Sequence, residues 1–162
     1  SQGDVQFQYE LGICYYNGCG TKQNYKQAVY WYQISANQGY ANAQFSLGLC
    51  YANGIGIEKK CKEAVYWYRK SAEQGNASAQ NNLGVCYKYG NGCEKSLELA
   101  VDLFLKSSEQ GNIKAFCNLA ICYEEGTGVE KNFETAIAYY RKAANQGDKF
   151  AEEKLMKLEQ NK

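Results

Sequence analysis

Apolar and small residues recur along this chain at helical spacing, in two alternating stripes. The first lies near residues 4–17, with Phe7, Leu11, Cys14 and Tyr15 on one side of a helical wheel. The second lies near residues 24–38. There Tyr25, Ala28, Val29, Tyr32, Ser35 and Ala36 fall at i, i+3, i+4, i+7, i+10 and i+11 and define one buried face. The pair of stripes then returns in register. "LGICYYNGCG" begins at Leu11, "LGLCYANGIG" at Leu47, "LGVCYKYGNG" at Leu83 and "LAICYEEGTG" at Leu119, a constant step of 36 residues. Gly3, Gly39, Gly75, Gly111 and Gly147 keep the same step, as do Ala28, Ala64, Ala100 and Ala136. One register held through four copies is the signature of a repeat architecture.

The residues between the stripes specify turns. Gly18, Gly54, Gly90 and Gly126 stand where a first helix would end in a left-handed residue, and Gly39 and its equivalents end the second helix. Asp4, Asn76, Asn112 and Asp148 are placed to cap the first helices, a role Tyr40 cannot fill in the second copy. Asn17-Gly18, Asn53-Gly54 and Asn91-Gly92 resemble hairpin turns, but they separate helical stripes rather than alternating strands. The Gly-x-Gly at 54–56 and 90–92 follows a helix and lacks a third glycine, so it does not fit a phosphate loop. The expectation is an all-α fold, an α/α superhelix of two-helix repeats. It forms one domain over 1–162, with copies at 3–38, 39–74, 75–110 and 111–146 and a capping helix at 147–162. "SQG" at 1–3 matches "NQG" at 37–39, so the chain is expected to begin in the tail of an earlier second helix and to be part of a longer array. "EEKLMKLEQNK" at the other end is charge-rich, as suits a helix with one wet face.

Composition narrows the chemistry. There is no histidine, which removes Ser-His and Cys-His nucleophile pairs and mixed Cys/His zinc sites. Proline is also absent, consistent with helices joined by glycine turns. A net charge of +1 supplies no field for nucleic acid or an anionic membrane. No apolar run approaches the roughly 20 residues of a membrane span, and the polar start "SQGDVQ" is not a signal peptide.

The stretch "ANAQFSLGLCYANGIGIEKKCKEAVYWYRKSAEQG", Ala41 to Gly75, resembles the Sel-one-like repeat, a relative of the tetratricopeptide repeat. It carries that family's Ala-x-Ala start, Leu-Gly-x-x-Tyr, paired loop glycines, Trp-Tyr and Ala-Glu-Gln-Gly. The resemblance extends over four full copies and most of a further first helix. Leu103 and Phe104 in place of Trp-Tyr, and Ala120 in place of the helix glycine, are local departures. The resemblance implies a superhelical scaffold for protein interaction, of the kind used by adaptors in signalling, membrane-protein degradation and bacterial pathways.

Eight cysteines require a reading. Cys14, Cys50, Cys86 and Cys122 recur on the buried stripe of successive first helices, which pack about 8–10 Å apart, beyond the roughly 7 Å Cα limit of a disulfide. Cys61, Cys93 and Cys117 occupy slots that hold apolar residues in other copies, and Cys19 sits between two loop glycines, exposed. Secreted cysteine-rich members of the resembled family pair a cysteine late in one helix with one early in the next. The matching positions here, Ala36 with Gln44 and Ala72 with Gln80, hold none. Core-filling thiols are the main reading, with a disulfide framework or a metal site as alternatives; unpaired thiols favour a cytoplasmic setting.

Function is expected on the inner face lined by the first helices. By the resemblance to tetratricopeptide repeats, ligands touch first-helix positions that correspond here to 6, 9, 13, 16 and 17 and their equivalents. This gives Gln6, Tyr9, Tyr16 and Asn17; Asn42, Phe45, Ala52 and Asn53; Ser78, Asn81, Lys88 and Tyr89; and Lys114, Cys117, Glu124 and Glu125. Position 13 is always aliphatic (Ile13, Leu49, Val85, Ile121) and expected half-buried. Tyr9, Phe45 and Tyr89 are candidate anchors, and Asn17, Asn53 and Asn81 candidate holders of a peptide backbone, since an amide both donates and accepts. The expected role is a non-enzymatic scaffold or adaptor for a peptide or extended segment of a partner, without cofactor, metal, nucleic acid or membrane. Two alternatives stand beside it. One is self-association, including a homodimer, through the solenoid ends. The other is a hydrolase-like or redox activity centred on Cys19.

Overall fold

A computed structural model describes the backbone of residues 2–160 and the side chains of 4–158. Among the described residues the chain forms nine α-helices and no strand. The first helices of the repeats are α1 (Gln2–Asn17), α3 (Ala41–Asn53), α5 (Ala77–Tyr89) and α7 (Ile113–Glu125). The second helices are α2 (Tyr25–Asn37), α4 (Cys61–Glu73), α6 (Leu97–Glu109) and α8 (Phe133–Ala144), and α9 (Lys149–Gln160) closes the array. Each helix packs on the one before it and the one after it, so the cores form a row of similar clusters rather than a single centre.

Within a repeat, the two helices meet where a ring lies on a glycine. A Cβ placed on Gly48 would stand 2.6 Å from the Tyr68 ring, and one on Gly84 2.7 Å from Phe104. The missing side chain lets an aromatic lie flat across the first helix; Tyr68 and Phe104 are 3% and 0% exposed. A buried serine adds a second tie. The hydroxyls of Ser35, Ser71 and Ser107 donate to the carbonyls of Val5, Ala41 and Ala77 at 2.8, 2.7 and 2.6 Å. In the fourth repeat Ala120 and Ala143 replace the glycine and the serine, and both are fully buried.

The helix ends follow the expected cap chemistry, with one correction. Asn76, Asn112 and Asp148 accept from the amides of Ala79, Ala115 and Ala151, and Tyr40 makes no side-chain cap. Gln2 and Gly3 belong to the first turn of α1. Helix α1 runs through Gly3 and Asp4, so Asp4 lies inside the first turn rather than at the cap. At Gly39, Gly75 and Gly111 a second helix ends and the glycine turns left-handed (φ 94°, 89° and 80°). Ser1 of that stretch, and 161–162 of the expected capping helix, lie outside the described residues. The second helices carry caps of their own, Asn24, Ser96 and Asn132, at positions the stripes do not mark.

Between repeats, the Gly-x-Gly loop is a docking device. Gly54 ends α3 at φ 72°. The second glycine of the pair then lies against the start of the preceding repeat's second helix. A Cβ on Gly92 would stand 2.3 Å from the Cys61 carbonyl oxygen, and one on Gly56 2.3 Å from that of Tyr25. Gly20 has the same conformation (φ 70°) and meets nothing within 4 Å.

That contrast predicts a difference between two otherwise equivalent substitutions. Gly20→Ala is expected to cost about 1–2 kcal/mol for the left-handed backbone alone. Gly92→Ala carries the same cost plus a further ~1–3 kcal/mol of overpacking. Urea unfolding of both variants followed by circular dichroism checks this, and equal losses would remove the docking role of the second glycine.

Candidate functional site

Each helix packs chiefly on its neighbours in sequence, and hollows lie between successive first helices. Three adjoining hollows form a groove along α3, α5 and α7. The first, about 370 Å³, lies between Ala52 and Asn53 on α3, Cys61 and Tyr68 on α4, and Asn82 and Cys86 on α5. The second, about 320 Å³, is bounded by Phe45, Leu49, Asn81, Asn82 and Lys114. The third, about 350 Å³, runs from Asn82 and Val85 past Lys114 to Asp148 and Phe150. Shared walls, Leu49 with Asn82 and then Asn82 with Lys114, set the three side by side. A separate hollow of about 460 Å³ opens between the starts of α1 and α3, with Gln6, Gln38, Tyr40 and Asn42 on its walls.

The candidate residues divide by what already occupies them. Phe45, Asn53, Asn81 and Lys114 come together in the groove, and Gln6 and Asn42 in the separate hollow. Ile13, Leu49, Val85 and Ile121 are half-buried. Several others are committed to the fold. Tyr9 sits between Tyr32 and Tyr40, with ring centroids 5.7 and 5.2 Å away. Tyr16 packs edge-on against Tyr25 at 5.1 Å. Asn81 is 3% exposed, accepting from Asn118 at 2.8 Å and donating to Asn82 at 3.2 Å. Asn53 donates to the Leu49 carbonyl, Gln6 to Glu10, and Asn42 accepts from Asn76. Asn17 and Tyr89 are exposed, the latter with the Lys88 ammonium 5.7 Å from its ring centroid.

Two charged candidates lie deeper than their residue types suggest. Lys88 is only 8% exposed. Glu124 accepts from the Tyr140 hydroxyl at 2.6 Å and from the Lys154 ammonium at 3.1 Å, which joins α7 to α8 and α9. Burial alone would raise the Glu124 carboxyl, but the hydrogen bonds from Tyr140 and Lys154 outweigh it and hold it below the usual carboxylate range. Asn82, on a wall of all three hollows, was not among the sequence candidates. Its register position carries Glu10, Ser46 and Asn118 in the other copies, so no consistent residue type marks it.

The cysteines are free thiols. Burial pushes the Cys50 and Cys86 thiols up to about 11, and burial beside the negative charge of Asp148 takes Cys117 to about 12. Such thiols stay protonated at neutral pH and act as small apolar groups. Gln44 and Gln80 use the positions where a helix-to-helix disulfide could stand, each donating to the carbonyl of Ala36 or Ala72 at 3.2 and 3.3 Å. Cys19 is exposed.

Comparison with known proteins matches this geometry to one family. The model of the Sel1 repeat matches residues 5–40, 41–76, 77–112 and 114–148. Among solved structures, the c5321 protective antigen of uropathogenic Escherichia coli strains, which displays an SLR fold, is 38% identical with a TM-score of 0.90 over 95% of this chain and 33% of its own. A Sel1 repeat protein from Oxalobacter formigenes is 38% identical with a TM-score of 0.86, over 95% of this chain and 63% of its own. The cysteine-rich protein B of Helicobacter pylori shares the fold at 22% identity and a TM-score of 0.62, over 80% of this chain and 92% of its own. The chain thus spans less than two thirds of the first two relatives. No curated protein matches it.

The Glu124 cluster sets a pH dependence. A carboxyl held below its unfolded value contributes stability above that value and loses it as pH falls through the folded value. Glu124→Gln is expected to lower stability by about 1–2 kcal/mol at pH 7. The gap to the parent should close as the pH drops through the acid range below ~4. Urea midpoints at pH 7 and pH 3 check both parts.

Proposed function

Because the chain belongs to the Sel1-repeat family, whose repeats generally mediate protein–protein interaction, we propose that it is a non-enzymatic scaffold holding an extended segment of a partner protein in the groove along α3, α5 and α7. One observation supports this most: three adjoining hollows along the first helices, lined by apolar side chains and by Asn53, Asn81 and Asn82. Apolar walls supply contact area. Asn53 and Asn82 can turn an amide to a peptide backbone of any sequence, while Asn81 holds Asn82 in place. Among the described residues no helix is long and apolar enough to cross a membrane, and no group of His, Cys, Asp and Glu side chains is arranged to hold a metal ion.

A second reading is self-association through the ends of the array. It is favoured by Phe7 at the first end and Met156 at the last, 65% and 61% exposed. Sedimentation of the parent beside Phe7→Ser and Met156→Ser separates this reading, since only end-to-end contact responds to those changes.

The groove reading is tested by selecting peptides from a random display library and mapping them by amide shift perturbation. Selected peptides are expected to move the amides of Leu49, Asn82, Val85 and Lys114. Asn53→Ala with Asn82→Ala should weaken binding about tenfold, roughly 1.4 kcal/mol. Tyr9 is left intact because its removal would open the first core cluster. Shifts confined to α4 and α6, or to the array ends, would move the binding surface off the groove.

A further inference from the structure

One register position links the repeats and differs in each of them. Its occupants are Tyr16, Ala52, Lys88 and Glu124. In the first repeat the slot is filled by the Tyr16 ring, packed on Tyr25. In the fourth it is filled by the Glu124 carboxylate, bonded to the Tyr140 hydroxyl. In the third it is filled by Lys88, 8% exposed. Only in the second does the occupant shrink to a methyl group. The position facing it shrinks as well, since Cys61 stands where Tyr25, Leu97 and Phe133 stand elsewhere. The result is the hollow of about 370 Å³ over Tyr68.

The chain therefore displays its own template for what fits there. The first repeat shows an aromatic ring in the slot, lying edge-on against Tyr25 at the start of the second helix. The hollow over Tyr68 has the same floor, with Asn53, Asn82 and Asn91 at its polar rim. One repeat further on, Lys88 is more than nine-tenths buried, and no carboxylate among the described residues forms an ion pair with it. Lys59 and Lys114 line the groove on either side, against the single carboxylate of Asp148, which already accepts from the Ala151 amide. The Lys88 stem is what the fold covers; its ammonium reaches the exposed Tyr89 ring, 5.7 Å from the centroid, where an incoming carboxylate can pair with it.

We propose that the Ala52 hollow is a socket for an aromatic side chain of the bound segment, and that the same segment carries an acidic residue about three positions away that pairs with Lys88. Spacing follows from geometry. Adjacent helices lie about 8–10 Å apart and an extended chain advances about 3.3 Å per residue, so one repeat corresponds to about three residues. This deepens the groove reading and rests on it for the orientation of the segment, but the socket itself can be tested alone.

The first probe is p-cresol, the tyrosine side chain as a free molecule, titrated into isotope-labelled protein. Saturable shifts are expected at the amides of Ala52, Asn53, Cys61 and Asn82, in the millimolar range set by a contact of about 4 kcal/mol. Ala52→Tyr, which copies the first repeat, should abolish them while keeping the thermal midpoint, and Ala52→Leu, a smaller filler, should weaken them. Absence of saturable shifts at these amides, or equal shifts in the filled variants, overturns the socket.

The second probe is a synthetic peptide of glycine, serine and asparagine with one central tyrosine and a glutamate three residues to each side. Changing the glutamates to glutamine should weaken its binding to the parent about tenfold and leave its binding to Lys88→Met unchanged. Equal loss in both proteins overturns the pairing with Lys88. A library-selected peptide that binds the groove equally well in parent and Ala52→Tyr would sink the socket and leave the groove reading standing. Seating of p-cresol, with selected peptides mapping elsewhere, would do the reverse.

Discussion

Three of the four repeats depend on an aromatic ring laid across a helix where a side chain is missing. Tyr32, Tyr68 and Phe104 come so close to Gly12, Gly48 and Gly84 that a Cβ would stand 2.6 to 2.7 Å from a ring atom. Closeness at this point sets the distance between the two helices of a repeat, and that distance sets how deep the hollow between successive first helices can be. The cost is a glycine in a helix interior, roughly 0.5–1 kcal/mol relative to alanine. Burial of the ring outweighs it, since fully burying a large apolar side chain contributes about 1.5–3 kcal/mol. The fourth repeat takes a different route. Ala120 replaces the glycine, and the Tyr140 hydroxyl reaches the Glu124 carboxylate, itself held by Lys154 of the closing helix.

Stacking adds a second constraint of the same kind. The loop glycine at 56, 92 and 128 touches the backbone of the preceding second helix, and its counterpart at 20 touches nothing. A glutamine ladder reinforces the contact. Gln74 donates to Gln44, and Gln44 donates on to the Ala36 carbonyl, so one side chain ties the second helices of two successive repeats. These polar ties are directional, and they hold neighbouring repeats at one angle in a way that apolar burial alone does not.

Within that frame, function is carried by the positions that packing leaves open. Tyr16, Ala52, Lys88 and Glu124 share one backbone setting, yet three of them close their slot and one opens it. A repeat protein can thus place a recognition pocket by shrinking one residue, without disturbing the helices that form its walls. Asn82 gains its importance in the same way. It stands where the walls of three hollows meet, and its side chain is oriented by Asn81 and Asn118 behind it.

The helical stripes, the 36-residue step and the loop glycines were enough to read an α/α array of two-helix repeats, the left-handed glycines that end α3, α5 and α7, and the half-buried aliphatics at position 13. Those features are local: a stripe records which face is buried, and a left-handed turn demands glycine wherever it occurs. What the chain could not state by itself is which candidate side chains remain available. Tyr9 reads as an anchor and Tyr16 as an inner-face residue, and both are packed into the fold; Asn81 reads as a backbone holder and is buried behind Asn82. Asp4 reads as a cap and lies inside the helix it was expected to start. Lys88 and Ala52 read as two equivalent inner-face positions; the first is largely covered, and the second lines a hollow. Availability depends on the neighbouring repeat, whose residues lie 30 or more positions away in sequence and only a helix width away in space, and that relation exists only once the repeats are stacked.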